Sequence, residues 1–373
     1  MFLMVGVVGV GQTKFGELWD CSLSDIISEA AIAAIKDSGV EKIDEIYIGS
    51  MSPGRFVGQE HIGALAAELL GVDVPSTRTE AACASGSVAF RAACNAINAG
   101  SAKTALVIGA EKMTDVSGSE ALTSLAAAGN QEWEASLGLT FTGLYALIAR
   151  RYMRQYGLSK EELALIPVKN HKNGLNNPHA QFRFEISVDD VIKSAPIAEP
   201  LNMLDCSSIS DGAAAVVVTQ DKAAKTNKNP VWLLGSGQAS DTLALHDRQD
   251  FCTLNATVKA AKHAYEQSRT RPNNINVVES HDCFSIAELL SYEDLGFCGK
   301  GDGKRMLLNG DVYVGGRFPF NPSGGLKMGH PVGATGIKQI CEVVKQIRGE
   351  SHNQIKNVGL GMTQNMGGTG ATA

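Results

Sequence analysis

The sequence predicts an α/β protein made of two similar halves, with a further segment inserted into the first half. Three observations support this prediction. Short apolar runs alternate along the chain with stretches of helical periodicity. The order strand, loop, helix, loop, helix and strand occurs near both ends of the chain, which indicates a duplication. Residues 115–200 show a different sequence pattern, in which amphipathic helical stretches alternate with polar turns.

These patterns define the predicted domain boundaries. The first half covers residues 1–114 and resumes at residues 201–229, the loop domain covers 115–200, and the second half covers 230–373. A chain of 373 residues is longer than one hydrophobic core usually serves, so several subdomains are expected. Insertions over a rigid sheet often carry ligand contacts, which makes the loop domain a candidate for such contacts.

The elements of the first half follow from apolar runs and from helix start and stop signals. Residues 4–8 form a short apolar run that predicts a buried strand. Ser22 and Asp25 are spaced as in a capping box, and Gly39 stands where a helix commonly ends in a glycine. Further strands are predicted at 45–48 and 104–108, and further helices at 62–70 and 88–97.

The second half repeats this plan. A strand is predicted at residues 276–279, followed by a helix that ends near Gly296. A second helix passes through Ile340 and Val344, and the last predicted strand covers residues 358–362.

Composition excludes several classes of protein. The net charge is −6 and no long run of Lys or Arg occurs, which argues against nucleic acid or an anionic membrane as the main partner. Eight cysteines without a CxxC pair predict neither a disulfide framework nor a zinc site, so no metal site is expected. The apolar start, residues 1–8, is too short for a signal peptide, and no segment is long enough to span a membrane. We therefore expect a soluble cytoplasmic protein with reduced thiols.

Cys83 is the first candidate for chemistry. It follows an extended segment and directly precedes a helix, so its sulfur is expected near a helix N-terminus. The partial positive charge there favours the thiolate and would lower the pKa of the thiol. A lone cysteine is more often a small buried apolar group, but Ala82, Ala84, Ser85 and Gly86 around it leave space for a substrate.

His330 is the second candidate, and it also enters a helix. An imidazole can accept a thiol proton and return it, because its ordinary pKa is about 6.5. Pro331 fixes the backbone at the first turn of the helix. Taken alone, such a histidine is more often a cap or a packing residue.

His281 and Cys283 stand two residues apart after a predicted strand. If the backbone there stays extended, both side chains point to the same side. A histidine donor beside a titratable thiol could stabilise an enolate while the thiol moves the proton. The alternative is a polar strand end with another core cysteine.

Two groups of glycines are candidate ligand sites. Gly367 and Gly368 follow the last predicted strand and would let a ligand carbonyl approach the backbone. The glycines near the start of the chain do not form the GxGxxG fingerprint, since Lys14 stands where its third glycine would be. A nicotinamide cofactor is therefore not expected.

Taken together, these motifs resemble the thiolase superfamily over nearly the whole chain. The resemblance rests on the segments 82–86, 281–284, 329–336 and 365–368, which occur in the family's order. It implies a thiolase fold: two duplicated halves with five-stranded mixed sheets, helices layered between the sheets, and an inserted loop domain. Asn365 stands where better-known bacterial thiolases carry an acid/base cysteine, so the chain is more similar to sterol-carrier-protein-type and archaeal thiolases.

The resemblance implies a role for each motif. Cys83 would be the nucleophile, His330 its activating base and Cys283 the acid/base for the second substrate. His281 would help to stabilise the enolate, and the N–H groups of Cys83 and Gly367 would hold the oxyanion of the acyl intermediate. Ser207 resembles the family's CoA-contacting serine.

The implied reaction is the reversible condensation of two acetyl-CoA molecules to acetoacetyl-CoA and CoA through an acetyl-cysteine. No cofactor is implied beyond the CoA thioesters. Resemblance further implies short acyl chains, use in the mevalonate route, and a homodimer or homotetramer. It also implies a complex with hydroxymethylglutaryl-CoA synthase and a small zinc-ribbon and OB-fold protein.

One departure and three alternatives stay open at this point. Family members usually finish with a further strand after the Gly367–Gly368 loop, whereas this sequence ends at Ala373, so local stability there is in doubt. A ketoacyl synthase would use an acyl-carrier-protein substrate and need no second cysteine. A retro-aldolase relative would need no nucleophilic thiol. A non-catalytic scaffold or lipid-carrier subunit would have no reason to keep all four motifs.

Overall fold

A computed structural model of the protein describes residues 4–220, 222 and 229–373. Residues 1–3 of the apolar start, and residues 221 and 223–228 of the predicted return segment, lie outside this description. The strands are β1 (Val5–Gln12), β2 (Glu45–Gly49), β3 (Ser76–Thr79), β4 (Thr104–Glu111), β5 (Pro196–Ala198), β6 (Leu201–Asn202), β7 (Gly212–Gln220), β8 (Val231–Trp232), β9 (Val277–Glu279) and β10 (Gly361–Thr363).

The helices confirm the predicted α/β class. They are α1 (Leu23–Ser38), α2 (Pro53–Phe56), α3 (Ile62–Leu69), α4 (Ser85–Ala99), α5 (Gly118–Ala126), α6 (Phe141–Tyr156), α7 (Lys160–Gly174), α8 (Val188–Lys193), α9 (Asn255–Ser268), α10 (Ser285–Asp294), α11 (Gly303–Leu308) and α12 (Thr335–Arg348). Short 3₁₀ turns lie at Ala135–Leu137, Met203–Asp205, Leu245–Asp247, Pro272–Asn274 and Gly325–Met328.

A mixed sheet forms the centre of the first half. Its strand order is β3-β2-β4-β7-β1-β8, with β3, β2 and β4 parallel and the remaining pairs antiparallel. β4 is buried along its whole length, and β7 is buried at every residue except the last. Strands buried on both faces are apolar throughout, which explains why their sequences show no alternation.

Helices cover both faces of this sheet. One set of alternate strand residues, including Leu106, Ile108 and Val217, packs against α1 and α3. The other set, including Val107 and Val216, packs against α4 and α12. Since α12 belongs to the second half of the chain and also contacts β9 and β10, it is layered between the two halves.

The second half repeats the pairing of the first on a smaller scale. β9 pairs in parallel with β10 on one side and forms a parallel bridge to Phe320 on the other. In the first half, β2 likewise lies between two parallel strands, β4 on one side and β3 on the other. The duplication is therefore visible in the strand order. The prediction of five strands in each sheet needs correction, because the first sheet has six strands and the described part of the second half has two.

Two structural features account for the different strand count. β8 pairs with the edge of β1 and so adds a sixth strand to the first sheet. In the second half, a cavity of about 390 Å³ separates β10 from the segment after β8, and no ladder joins their facing edges in the described residues. Beyond this cavity Ala371–Ala373 runs antiparallel to residues 239–241, with the Ala239 N–H donating to the Ala373 carbonyl at 2.9 Å.

The inserted segment packs against the second half. α6 and α7 contribute Tyr145, Tyr152 and Ile166 to a core that also holds Leu290 and Tyr292 of α10. The Tyr152 hydroxyl donates to a carboxylate oxygen of Glu293 on α10. The predicted boundaries at 114/115, 200/201 and 229/230 stay predictions.

Local signals read from the sequence match the first helix closely. The Asp25 N–H donates to the Ser22 hydroxyl at 3.2 Å and the Ser22 N–H donates to the Asp25 carboxylate at 2.8 Å, so the capping box is confirmed. Gly39 ends α1 in the left-handed conformation with φ 65°. β4 runs three residues beyond its predicted end, because Gly109 continues the strand where the backbone of the second half approaches closely.

Glycines allow α4 and α12 to meet at their N-termini. A Cβ on Gly86 would lie 2.5 Å from the Gly333 carbonyl oxygen, and one on Gly336 would lie 2.2 Å from the Ser87 hydroxyl oxygen. No real side chain tolerates such distances, so the contact between the halves requires hydrogen atoms at these positions. The residues that precede each helix are thereby brought together.

Within the described part of the chain, no helix combines the length and the apolar character needed to cross a membrane.

Replacing Gly86 by alanine tests this close approach. Because the new methyl group would meet the Gly333 backbone oxygen, we expect Gly86→Ala to lower the free energy of unfolding by about 1–3 kcal/mol. Gly118 is the matched control, since a Cβ there meets no atom within 4 Å. Gly118→Ala should leave stability unchanged or raise it by about 0.4–1 kcal/mol. Denaturant titration measures both, and equal effects would contradict the argument.

Candidate active site

Cys83 lies in the turn between β3 and α4. Ala82, directly before it, has φ 52°, a left-handed conformation that is uncommon for a residue with a side chain. The Ser85 hydroxyl accepts from the Ala81 N–H at 3.0 Å and donates to the Ala82 carbonyl at 2.6 Å, which holds the turn. Cys83 as a residue is partly exposed, whereas its sulfur faces a buried volume.

His330 is held with one ring nitrogen free to accept a proton. The backbone N–H of His330 donates to the Ser210 hydroxyl at 3.0 Å. Its Nδ1 lies 2.6 Å from the Thr335 hydroxyl, which itself donates to the Pro331 carbonyl at 3.0 Å. Because that hydroxyl has only one proton, Nδ1–H must be the donor to it, and the lone pair of the neutral ring is on Nε2.

In His281 the ring proton is on the other nitrogen than in His330. The Nδ1 of His281 lies 2.8 Å from Asn365 Nδ2, which donates to it. The Ser87 hydroxyl donates to Asn365 Oδ1 at 3.1 Å and so fixes the orientation of the amide. The hydrogen-bond network therefore assigns the proton of the neutral ring to Nε2. This Nε2 is fully buried and has no hydrogen-bond partner among the described residues.

The structure brings three of the predicted side chains into one cluster. The donor atoms of Cys83, His281 and His330 all lie within 4.8 Å of one another. The two imidazole rings are 5.1 Å apart between centroids and nearly perpendicular, at 81°. One thiol, one basic nitrogen and one N–H donor thus face the same small volume, a set that also has the chemistry of a metal ligand shell.

Cys283 lies near Cys83. It is buried, and its thiol contacts the Tyr145 hydroxyl, which also donates to the Gly368 carbonyl at 3.1 Å. Burial raises the pKa of Cys283, and the nearby Cys83 raises it further. Asp282 points the other way, where it accepts from the Leu326 N–H at 2.7 Å, so the side chains alternate as predicted for an extended stretch.

The protonation states differ from the prediction for Cys83. Burial raises the pKa of the Cys83 thiol to about 12, and the Glu111 carboxylate adds to the rise, whereas hydrogen bonding from the Gly368 backbone opposes it. The expected thiolate is therefore corrected to a neutral thiol, because the loss of water outweighs the helix N-terminus. Burial, with Lys327 and Lys338 nearby, lowers the pKa of His330 to about 3, so this ring is neutral as well.

One predicted backbone donor also needs correction. The Gly367 N–H donates to the Thr372 carbonyl at 2.9 Å and is not free for an oxyanion. The Gly368 N–H, together with the N–H of Cys83 itself, faces the Cys83 sulfur instead. The glycine at 367 is still required, since a Cβ there would lie 2.4 Å from the Ala81 carbonyl.

Ser207 lies beside the cluster. Its N–H donates to the Cys283 carbonyl at 2.8 Å, and the neighbouring residues Cys206 and Phe284 form a bridge. Its side chain is half-buried. Contact with a CoA thioester stays a prediction for this residue.

Sequence reasoning missed several residues that shape the site. The sequence placed Asn365 in the C-terminal motif but did not show that it orients His281, and Ser87 and Tyr145 carried no recognisable signal. Glu111 at the end of β4 is buried and accepts from the Met51 N–H at 2.8 Å and the Gly333 N–H at 3.1 Å. It ties the loop before α12 to the first sheet, and burial raises its pKa to about 7. Only the unusual charge at the end of a buried strand could have pointed to it.

Comparison with family models covers nearly the whole chain. The model of the thiolase N-terminal domain matches residues 5–222, and that of the thiolase C-terminal domain-like family matches residues 237–373. The chain therefore belongs to the thiolase family.

Two archaeal proteins and one human protein are similar to this chain over nearly its whole length. The chain is 50% identical to an acetyl-CoA acetyltransferase of Methanothermobacter thermautotrophicus, over 99% of this chain and 97% of the relative. It is 46% identical to an acetyl-CoA acetyltransferase of Methanocaldococcus jannaschii, with the same coverage of 99% and 97%. Human sterol carrier protein 2 is 32% identical over 98% of this chain and 70% of that protein.

Solved structures agree on the fold. The structure described as the Ltp2-ChsH2(DUF35) aldolase superposes with a TM-score of 0.85 at 27% identity, over 99% of this chain and 96% of that chain. An acetyl-CoA acetyltransferase from Syntrophomonas wolfei superposes with a TM-score of 0.70 at 20% identity, over 99% and 97% of the two chains.

The pH dependence of Cys83 alkylation tests the protonation state of the site. A thiol with a pKa of about 12 is almost wholly protonated at neutral pH. Below its pKa the thiolate fraction rises about tenfold per pH unit, so the rate of reaction with iodoacetamide should keep rising through pH 10. An unstructured cysteine peptide, with a pKa of about 8.5, should level off earlier. Mass spectrometry of the Cys83 peptide gives the rate, and a plateau below pH 8 would indicate a preformed thiolate–imidazolium pair.

Proposed function

We propose that this protein is an acetyl-CoA C-acetyltransferase, an acyltransferase that condenses two acetyl-CoA molecules reversibly to acetoacetyl-CoA and CoA. The observation that carries the proposal is the pair of histidines with opposite ring protons beside one thiol. One imidazole is arranged to take a proton and the other to donate a hydrogen bond. Archaeal relatives at 50% and 46% identity that are named acetyl-CoA acetyltransferase support the same reaction.

In the first half-reaction Cys83 takes the acetyl group. Its proton passes to His330 Nε2 as the sulfur attacks the thioester carbon. The N–H groups of Cys83 and Gly368 face the sulfur and are the donors proposed for the oxyanion. CoA leaves as a thiolate and takes a proton from Cys283, which leaves Cys283 as a thiolate.

In the second half-reaction the acetyl group forms a carbon–carbon bond. The Cys283 thiolate removes a proton from the methyl group of the second acetyl-CoA and becomes a thiol again. His281 Nε2–H donates to the thioester oxygen, where the negative charge of the enolate develops. The enolate carbon attacks the acetyl carbon, the carbon–sulfur bond to Cys83 breaks, and His330 returns the proton. All protons are then back at their starting positions.

The raised pKa of Cys283 suits this sequence. A buried thiol holds its proton in the resting enzyme, because burial disfavours the thiolate. Giving that proton to the departing CoA thiolate, which is the weaker base, is uphill, and the departure of CoA draws the step forward. The thiolate that remains is a strong base placed at the carbon acid. A fully exposed thiol would be a weaker base.

Finer properties are proposed by resemblance. We infer that no cofactor is needed beyond the CoA thioesters, that Ser207 contacts CoA, and that short acyl chains are used. A homodimer or homotetramer in the cytoplasm, a place in the mevalonate route and a complex with hydroxymethylglutaryl-CoA synthase belong to the same proposal. Similarity to the structure described as the Ltp2-ChsH2(DUF35) aldolase supports the further proposal of a small partner protein.

Trapping the acyl-enzyme tests the nucleophile. The protein incubated with acetyl-CoA should gain one acetyl group on Cys83, seen by mass spectrometry of the digested protein, because this thiol lies within 4.8 Å of an imidazole nitrogen of His330. Cys83→Ala should gain none, and Cys21→Ala, which removes a half-buried thiol from a different core cluster, should behave like the wild type. Absence of the label on the wild type would favour a scaffold or an aldolase. Transfer only from an acyl carrier protein would favour a ketoacyl synthase.

Replacing Cys283 separates the two half-reactions. Cys283→Ala should still become acetylated on Cys83, with CoA taking its proton from water, but should form acetoacetyl-CoA at least about 100-fold more slowly, the size expected for loss of a general acid/base. Acetoacetyl-CoA is measured by its absorbance with magnesium. Condensation at the wild-type rate would remove Cys283 from the mechanism.

A further inference from the structure

The cluster beside Cys83 has a property that acyl transfer does not use. A thiol and two imidazole nitrogens converge within 4.8 Å, and His281 Nε2 is completely buried with no partner among the described residues. We propose that Cys83, His281 and His330 form a binding site for a soft divalent cation, Zn²⁺ in particular, whose binding blocks the nucleophile. This proposal rests on the geometry of the cluster and not on the reaction proposed above.

The distances suit a tetrahedral ion. Zinc binds thiolate sulfur at about 2.3 Å and imidazole nitrogen at about 2.0–2.1 Å, so its ligand atoms lie roughly 3.3–3.6 Å apart. Since the three donor atoms are within 4.8 Å already, no pair needs to close by more than about 1.5 Å. Small rotations of χ angles supply such movements. A water molecule would complete the shell at the fourth position, and because the three ligand atoms are buried, the ion would reach them past the partly exposed Cys83 backbone region only when the surrounding loops move.

Binding is an exchange of protons for the metal. The S–H bond of Cys83 breaks, the proton passes to solvent, and the sulfur forms the bond to zinc. His330 offers its Nε2 lone pair without change, because its Nδ1–H already donates to Thr335. No electron is transferred, so no oxidant or reductant is needed.

His281 must change its tautomer, and Asn365 opposes that change. Its Nε2 becomes a ligand only when the ring proton moves to Nδ1, which Asn365 Nδ2 now faces at 2.8 Å. The amide would have to turn so that Oδ1 accepts from Nδ1–H and Nδ2 donates to the Ser87 hydroxyl. Asn365 therefore favours the donor form of His281 and weakens the metal site. An aspartate would accept from Nδ1–H directly, as carboxylates do behind many zinc-bound histidines.

The test uses the full-length protein, freed of CoA, in buffer without thiols or chelators. Titration with ZnCl₂ by calorimetry should show one site on the wild type. Cys83→Ala and His330→Gln should lose it, whereas Cys21→Ala should keep it. With Co²⁺ in place of Zn²⁺, a thiolate-to-metal charge-transfer band should appear on the wild type and be absent from Cys83→Ala.

Two further measurements decide the outcome even if a variant folds poorly. On the wild type, Zn²⁺ should slow alkylation of Cys83 while leaving Cys21 and Cys298 unaffected, since neither belongs to the cluster. Asn365→Asp, checked for folding by circular dichroism, should bind zinc about 10–100-fold more tightly than the wild type.

Three results would overturn the proposal. Zinc binding to Cys83→Ala with wild-type affinity would place the ion elsewhere, and the absence of a cobalt–thiolate band on the wild type would exclude sulfur ligation. Asn365→Asp binding no more tightly than the wild type would contradict the tautomer argument. None of these readouts requires acetyl transfer, so a failure here leaves the proposed function untouched, and the reverse also holds.

Discussion

The close contact between the N-termini of α4 and α12 is the constraint on which the site depends. Gly86 and Gly333 bring backbone against backbone, and Gly336 brings α12 against Ser87. Cys83 directly precedes the N-terminus of α4, and His330 lies in the loop that leads into α12. The contact therefore places a thiol from one half next to an imidazole from the other. A side chain between the two helices would push their N-termini, and with them these two groups, apart.

Buried charges hold the second-half loops against this contact. Lys338 on α12 forms an ion pair at 3.1 Å with Glu279 at the end of β9, and both are buried. Lys169 of the inserted segment pairs at 2.8 Å with Glu288 on α10. Such pairs add little stability over an apolar packing, but losing one partner costs about 3–5 kcal/mol because a charge is left uncompensated. They therefore fix the position of the stretch around His281 more than they strengthen the fold.

The same burial decides the protonation of the site. A helix N-terminus favours an anion by only a few tenths to about 2 kcal/mol. Removing water from the thiol acts in the opposite direction and prevails, so the pKa of Cys83 rises to about 12 and that of His330 falls to about 3. The result is a pair of neutral groups, which avoids a buried ion pair in the resting protein.

The sequence by itself determined the α/β class, about half of the helices and strands, and the motifs that hold Cys83, His281 and His330. These features depend on local signals, such as the capping box at Ser22 and the buried run of β4, that can be recognised without knowing the partner elements. Family membership followed from the same motifs.

Only the tertiary structure decided how these groups act together. The six-stranded sheet depends on β8 reaching the edge of β1 across more than 200 residues, and the ring protons of His281 and His330 depend on Asn365 and Thr335. The Gly367 N–H is engaged by the Thr372 carbonyl, and the Gly368 N–H lies at the Cys83 sulfur, through contacts made only in the folded chain. Each is a contact whose energy is set by burial and geometry in the folded chain, and neither quantity is present in the order of the residues.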